Sequence, residues 1–305
     1  MKYYIFSKSD EISKNIETYI KNKILLPFDN ENPNIVIAVG GDGTFISAVH
    51  KYPNAIIFGL HTGHLGFYSN YTTSDVDILI EDINNNSFKY DSIDLIKCEI
   101  NTTNDTIIDY AVNEMTIIMP PRTLILDVCI DDKKLETYRG TGFCISTPYG
   151  STAYNKSLHG AVVDPEISCF QMTEIAGINS NSYRTLGSPL LLSAKRTITL
   201  NSLKPESIYI TIDNISYTLN NFEFAKVQLA DMKIKVAYHN KPYYIDRLKR
   251  TFLDEKNHSF KIGFHQFVDI LGPLGHSYNS HVLYHWRFFQ YFVCNVLLVN
   301  CSLLL

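Results

Sequence analysis

Three glycines surround one aspartate in Gly40-Gly41-Asp42-Gly43, directly after the unbroken apolar run Ile35–Val39 and directly before Thr44. That combination is suited to phosphate chemistry. An apolar run without alternation predicts a buried parallel strand, and the spacing from Thr44 to His50 predicts a helix behind the turn. Glycines let the backbone turn sharply and approach a ligand closely. The first N–H groups of the helix and its partial positive charge favour an anion. A carboxylate in such a turn has two uses: to take a proton from an attacking hydroxyl, or to hold a metal ion that neutralises phosphates. The plain alternative is a tight turn with a capping aspartate, and three glycines around the acid weigh against it. The pattern is neither the G-x-G-x-x-G dinucleotide fingerprint nor a Walker loop, since no Gly-Lys-Ser/Thr follows.

Three more stretches carry chemistry. Asn113-Glu114 interrupts a β-like run. Adjacent strand residues face opposite sides, so one of the two can face inward; a bulge or a solvent-facing pair is the alternative. Arg139-Gly140-Thr141-Gly142-Phe143 leads into Ser146–Ser157, where Pro148 and Gly150 end a strand and build a turn. Ser151 or Thr152 is expected to cap a short helix on which Tyr154 and Ser157 share a face. Hydroxyls, free N–H groups and a tyrosine suit a polar planar ligand such as adenine. His61-Thr62-Gly63-His64-Leu65-Gly66-Phe67-Tyr68 reads as a ligand-facing loop with an aromatic wall. Its two histidines have no third ligand nearby in the sequence and read as hydrogen-bonding groups rather than a metal site.

The elements that must position these residues change in texture along the chain. Lys2–Ser7 reads as a strand, and Ser9 or Asp10 starts a helix running to about Lys23. The Gly-rich turn follows the central strand, and Ala55–Leu60 reads as another buried strand. This β-α-β-α-β order argues an open α/β sheet, whose ligands sit beyond the carboxyl ends of the strands. A capped helix begins at Ser74–Asp77 and ends at Asn84–Asn86. From about Tyr90 the segments become short, alternating and β-branched, which argues a largely antiparallel region to about His239. Ile245–Glu255 reads as a helix with Arg247, Lys249 and Arg250 on its wet side. We therefore expect an α/β domain over residues 1–89, joined by a returning segment at about 240–263, and a β-rich domain over 90–239. Residues 264–305 form an atypical apolar tail.

Bulk properties narrow the function. The net charge of the 305-residue chain is −4, with no basic block, which argues against nucleic acid and broad electrostatic membrane docking. The six cysteines are scattered without a C-x-x-C pair, as suits a reducing compartment, and no signal peptide precedes the first strand. Phe288–Leu305 is just long enough to span a bilayer, but Gln290, Asn295 and Asn300 interrupt it. We expect a non-structural extension there, with a tail anchor as the alternative.

Gly40–Thr44 resembles a signature shared by NAD kinases, diacylglycerol and sphingosine kinases and, less closely, phosphofructokinases. Together with Asn113-Glu114 and with Gly150–Tyr154 and Ser157, in that order and at those separations, it resembles an NAD kinase. Lipid kinases lack the last two stretches in this form. Met172–Ala176, Tyr183-Arg184 and Gly187–Leu190 are similar to the family's substrate-domain segment, and the resemblance runs over residues 1–263. It is strongest toward the small enzymes of low-GC Gram-positive bacteria.

The resemblance implies an N-terminal open, Rossmann-like α/β domain followed by a β-rich domain, with the site in the cleft between them. It implies transfer of the γ-phosphoryl of ATP, or of polyphosphate, to the 2′-hydroxyl of the adenosine ribose of NAD, giving NADP. It implies Mg²⁺ or another divalent metal, a homodimer or homotetramer, and a cytoplasmic enzyme. By motif, Asp42 is the proton acceptor and Gly43 lies against the nucleotide. Asn113 and Glu114 hold the adenosine part. Thr152, Ala153, Tyr154 and Ser157 line the pocket with Phe67 nearby, and Ala176 comes from a partner-facing segment. Arg139, Thr141, Asn155 and Lys156 are counted with them. The chain departs from the family at Thr141, where relatives carry a substrate-contacting aspartate, at His159-Gly160-Ala161 in place of Gly-Gly-Pro, and at Asp213-Asn214 in place of Asp-His. Two other readings are a lipid kinase of the diacylglycerol type, or an NAD-binding protein impaired in catalysis.

Overall fold

The computed structural model describes residues 1–63, 66–241 and 243–254, which belong to one compact unit, Met1–Asp254. The apolar tail at 264–305 lies outside the described residues. The first part of the chain runs β1 (Tyr3–Ser7), α1 (Glu11–Lys21), β2 (Ile35–Val39), α2 (Asp42–Lys51), β3 (Ile56–His61), β4 (Tyr71–Thr72) and α3 (Val76–Asn85). Then come β5 (Lys89–Thr102), β6 (Thr106–Ala111), β7 (Glu114–Ile118), β8 (Leu124–Ile130), β9 (Lys133–Gly140) and β10 (Gly142–Ser146). A short α4 (Tyr154–Ser157) precedes β11 (Cys169–Ile175), β12 (Leu190–Ser193), β13 (Thr197–Ile212) and β14 (Ile215–Tyr238). Last is α5 (Tyr244–Leu248), continued by a π-helical turn at Lys249–Leu253.

Among the described residues the strands form a single mixed sheet. Its main order is β1-β2-β3-β14-β13-β7-β10-β11-β12. β1, β2 and β3 pair in parallel, and β14 joins β3 in parallel. From β14 onward the pairs are antiparallel. β2 shows why the first part takes helices on both faces. Val36 and Ala38 pack with Phe45, Ile46, Ala48 and Val49 of α2. Ile35, Ile37 and Val39 pack on the opposite side with Ile20 of α1 and Leu79, Ile80 and Ile83 of α3. A strand with no wet face must read as uniformly apolar. The β-rich part has its own core, built from alternating residues of β5, β7, β8, β10, β13 and β14, such as Ile117, Leu126, Ile145, Leu200 and Val227.

Some helix boundaries agree with the sequence reading and others differ. Asp10 caps α1 by accepting the Ser13 N–H at 2.9 Å. Ser151 and Thr152 do not cap α4; their hydroxyls bond back to the Pro148 and Tyr149 carbonyls at 2.6 and 3.0 Å, closing a 3-10 turn at Gly150–Thr152. α5 and its π-helical turn run Tyr244–Leu253, close to the expected Ile245–Glu255, whose last residue lies outside the described residues, but Arg247 is not on a wet side: it is buried and donates to the Phe67 carbonyl and to Asn70 Oδ1. A guanidinium carries enough donors to be satisfied inside the fold, which polarity alone does not reveal.

Candidate active site

Asp42 is the first residue of α2, with Gly41 at the cap position. Its carboxylate accepts two backbone N–H groups from the loop after β3: Phe67 onto Oδ2 at 2.8 Å and Tyr68 onto Oδ1 at 3.2 Å. Gly66 is what permits this approach, since a Cβ there would lie 2.1 Å from Asp42 Oδ1. Gly40 is equally constrained, because a Cβ on it would lie 2.4 Å from Thr44 Oγ1, whereas a Cβ on Gly41 or Gly43 would meet nothing within 4 Å. So Gly40 and Gly66 serve the protein's own packing, while Gly41 and Gly43 leave open room over the helix N-terminus, where a phosphate is favoured.

The same loop reaches the second motif. The Tyr68 hydroxyl donates to Asn113 Oδ1 at 2.5 Å, and its ring stacks between Phe45 and Tyr149 at centroid distances of 4.8 and 5.6 Å. Asn113 sits between β6 and β7, and Glu114 opens β7. The backbone N–H groups of Val112, Asn113 and Glu114 all point at the Asp213 carboxylate, at 2.7, 2.8 and 3.2 Å. Glu114 faces inward: its Oε2 is buried and has no hydrogen-bond partner. Burial, and next the charge of Asp213, push its carboxyl up to about 8, against the pull of the Tyr154 N–H. A shift in that direction favours the protonated acid, which can both donate and accept.

The turn at Gly150 fits against Asn113 because a Cβ on Gly150 would stand 2.0 Å from the Asn113 carbonyl oxygen. Beyond it, Tyr154 and Ser157 are exposed and Thr152 and Ala153 partly so. Asn155 is buried instead; its Oδ1 accepts the Thr173 hydroxyl at 2.7 Å, fastening α4 to β11. Phe67 packs on Phe252 at 5.6 Å, and the Lys156 ammonium lies 4.3 Å from the Phe252 ring centre.

Arg139, Thr141 and Ala176 form a different group. Ile178 N–H donates to the Arg139 carbonyl at 2.7 Å, Thr141 N–H donates to the Ile175 carbonyl at 3.0 Å, and Ala176 takes a left-handed φ of 49° beside them. The Arg139 guanidinium lies over the Tyr183 ring at 4.1 Å. This group adjoins Gly142, whereas Ser146 at the other end of β10 pairs with Glu114. Four residue steps of a strand separate the two groups by roughly 13 Å.

The sequence reading did not single out Tyr68 beyond an aromatic wall. It gave Asp213 no role of its own, set Arg247 in water and missed Phe252. Among the described residues no three His, Cys, Asp or Glu side chains are placed so that they could hold a metal ion. The Gly-rich turn offers one carboxylate, which suits a Mg²⁺ ion carried in on nucleotide phosphates, since that ion keeps most of its ligands from water and phosphate.

The chain is similar to known proteins over most of its length. Residues 6–88 match the ATP-NAD kinase N-terminal domain and residues 112–237 the ATP-NAD kinase C-terminal domain. An NAD kinase of Shouchella clausii is 37% identical over 267 residues, covering 84% of this chain and 100% of the relative. An NAD kinase of Staphylococcus aureus is 39% identical over 249 residues, 78% of this chain and 92% of the relative. Among solved structures, yeast NADH kinase complexed with NADH has a TM-score of 0.70 at 20% identity, covering 86% of this chain and 89% of that one. An NAD kinase from Archaeoglobus fulgidus in complex with ATP has a TM-score of 0.63 at 20% identity, covering 82% and 95%. At that identity the two structures speak for the fold.

Proposed function

The chain belongs to the ATP-NAD kinase family, and from that premise we propose that it transfers the γ-phosphoryl group of ATP to the 2′-hydroxyl of the adenosine ribose of NAD, giving NADP, with Asp42 as proton acceptor. One observation carries the assignment of roles: Tyr68 gives its N–H to Asp42 and its hydroxyl to Asn113. The carboxylate and the adenosine-holding pair are thereby fixed to one rigid, stacked residue.

Phosphoryl transfer has a loose transition state, so catalysis is mainly positioning and charge neutralisation. Each Asp42 oxygen accepts one loop N–H and keeps a lone pair for the incoming hydroxyl. The open N-terminus of α2 at Gly43 has room for phosphate oxygens, and a divalent metal bound with ATP beside Asp42 would supply the charge that offsets theirs. Asn113 and the neutral carboxylic acid of Glu114 bind the adenosine edge, and Thr152, Ala153, Tyr154 and Ser157 line its pocket with Phe67. Asn155 and Lys156 support that wall, Asn155 from beneath.

Arg139, Thr141 and Ala176 stand at the Gly142 end of β10, whereas Glu114 pairs with Ser146 at its other end. We assign them to the site of a second copy, which makes the working enzyme a homodimer or homotetramer. The division into an α/β part, residues 1–89, and a β-rich part, 90–239, is supported by the spans of the two family domains, 6–88 and 112–237; we assign the returning segment at about 240–263 to the first part. The enzyme is read as cytoplasmic from its scattered thiols; no helix among the described residues is long and apolar enough to cross a membrane. The test is NADP formation from NAD with ATP and with polyphosphate as rival donors. NAD binding without NADP formation from either donor would leave a nucleotide-binding protein and refute the kinase reading.

A further inference from the structure

The two-residue turn Asp213-Asn214, between β13 and β14, touches both halves of the site at once. The Asp213 side chain has 0% exposure, and its φ of 51° is a left-handed conformation that aspartate adopts more readily than most residues. Besides the three N–H groups of Val112, Asn113 and Glu114, its carboxylate meets His50 Nε2 at 2.9 Å. The Asp213 N–H returns a bond to the Glu114 carbonyl at 3.0 Å. Next to it, Asn214 Nδ2 donates to Ser47 Oγ at 2.7 Å, and the Ser47 hydroxyl donates to the Gly43 carbonyl at 3.0 Å. His50 and Ser47 both belong to α2, the helix that begins at Asp42.

A hairpin turn needs no buried carboxylate. Burying one is costly unless its oxygens are met, and here four donors from two separate segments meet it. We propose that Asp213 and His50 are positioning residues of the phosphoryl transfer: together with the Asn214–Ser47 contact they hold α2, and so Asp42, in register with the adenosine-binding pair Asn113-Glu114. This rests on the NAD kinase reading above. The 2′-hydroxyl is presented by the adenosine pocket, while the group that takes its proton stands on α2. A displacement between these two parts moves the acceptor hydroxyl off the carboxylate even when both ligands are bound.

The electrostatics support a charged strut. His50 lies in the last turn of α2, where the negative end of the helix favours a cation. Burial alone would lower its basicity. The hydrogen bond to Asp213 and that residue's charge, joined by Asp109 with its carboxylate 3.9 Å from Nδ1, outweigh burial and raise it. Asp109 is itself held by the Tyr217 hydroxyl at 2.7 Å.

The experiment uses the full-length chain and compares His50→Leu, His50→Gln, Ser47→Ala and Asp213→Asn with wild type. It reads kcat for NADP formation at saturating NAD and ATP, the NAD dissociation constant by calorimetry, and the melting temperature. His50→Leu should lower kcat by about tenfold or more with NAD affinity kept within about threefold, because misalignment acts on the reacting atoms rather than on ground-state binding. His50→Gln, which keeps an N–H for Asp213, should recover most of that loss. Asp213→Asn should lower kcat and also weaken NAD binding, since it puts an N–H where backbone N–H groups converge. Ser47→Ala, a change at a partly exposed hydroxyl, keeps the test open if the buried variants do not fold, and it should lower kcat several-fold at unchanged melting temperature. If folded His50→Leu and Ser47→Ala proteins lose only thermal stability, with kcat within twofold of wild type, the proposal is overturned and the turn is merely structural. A wild-type chain that makes no NADP overturns the kinase reading and this proposal together.

Discussion

Replacing Glu114 by glutamine should stabilise the protein, and the gain should grow with pH. Glu114 is a carboxyl group with a buried, unpartnered Oε2, raised to about 8 by burial and by the charge of Asp213. The same group titrates near 4.5 when free of the fold. Between those values the unfolded chain has released a proton that the native protein still holds. The native state then binds more protons, so stability falls as pH rises through the window from 4.5 to about 8 and levels off above it. Glutamine has the shape of the protonated acid and no proton to lose, so its variant lacks that slope. The full shift would be worth ~4–5 kcal/mol at about 1.4 kcal/mol per unit, and relaxation around a partly exposed residue cuts this to about 2 kcal/mol at pH 8. Near pH 4.5 the two proteins should agree within about 0.5 kcal/mol. Urea unfolding of wild type and Glu114→Gln at four pH values across the window measures the difference. Parallel curves, or a wild type more stable than the variant at pH 8, would refute a raised Glu114. A neutral amide also mimics the acid in the pocket, so the NAD Michaelis constant at pH 7 should stay within a few-fold of wild type.

Four further outcomes follow from the site. Asp42→Asn should lower kcat by roughly 10²–10⁴-fold while NAD affinity stays within a few-fold, and near-normal turnover would remove Asp42 from the mechanism. Gly66→Ala places a methyl group 2.1 Å from Asp42 Oδ1; kcat should fall by about tenfold or more, and an unaffected kcat would show that the loop N–H groups do not orient the carboxylate. Thr141→Asp should lower the NAD Michaelis constant about fivefold, because a charge-assisted hydrogen bond is worth ~1 kcal/mol more than a neutral one; a raised constant would show that this chain does not use the family's contact. Truncation after Gly263 should leave a folded, active enzyme, to be checked by gel filtration and NADP formation; aggregation or lost activity would place the tail in the fold or the assembly.

The sequence made some of this legible because local chemistry and global role coincide there. Gly40–Thr44 follows a strand with no wet face, and β2 is buried on both sides as that pattern requires. The inward Glu114 was open to either reading, and the structure decides it through the cross-strand pairing of Ser146 with Glu114, which fixes the face. β11 and β12 are not legible as strands. Their residues sit between Gly160 and Ser193 in a stretch rich in turn-forming and polar residues, and β11 is buried on both faces: Phe170 and Met172 join the hydrophobic core, while Gln171 and Thr173 are buried on the other face, where Gln171 holds both the N–H and the carbonyl of Ala161. A polar side chain satisfied inside a fold has the same letter as one in water, so the short alternation Phe170-Gln171-Met172-Thr173 does not reveal a strand covered on both faces.

The same ambiguity hid the groups that tie the site together. His50 at the end of an amphipathic helix and Arg247 in a charged stretch both look like solvated positions, and Asp213 looks like an ordinary turn residue. Their partners lie 163, 180 and about 100 residues away: Asp213 for His50, Phe67 for Arg247, and Val112–Glu114 for Asp213. No window of periodicity spans such distances. What does distinguish them is physical cost. A buried charge without donors or acceptors to meet it is not tolerated, so each of these side chains must converge with other polar groups, and those groups belong to the segments beside Asp42 and Asn113. The motif residues thus mark where chemistry occurs, while the unmarked charges mark which segments must stay in register for it to occur.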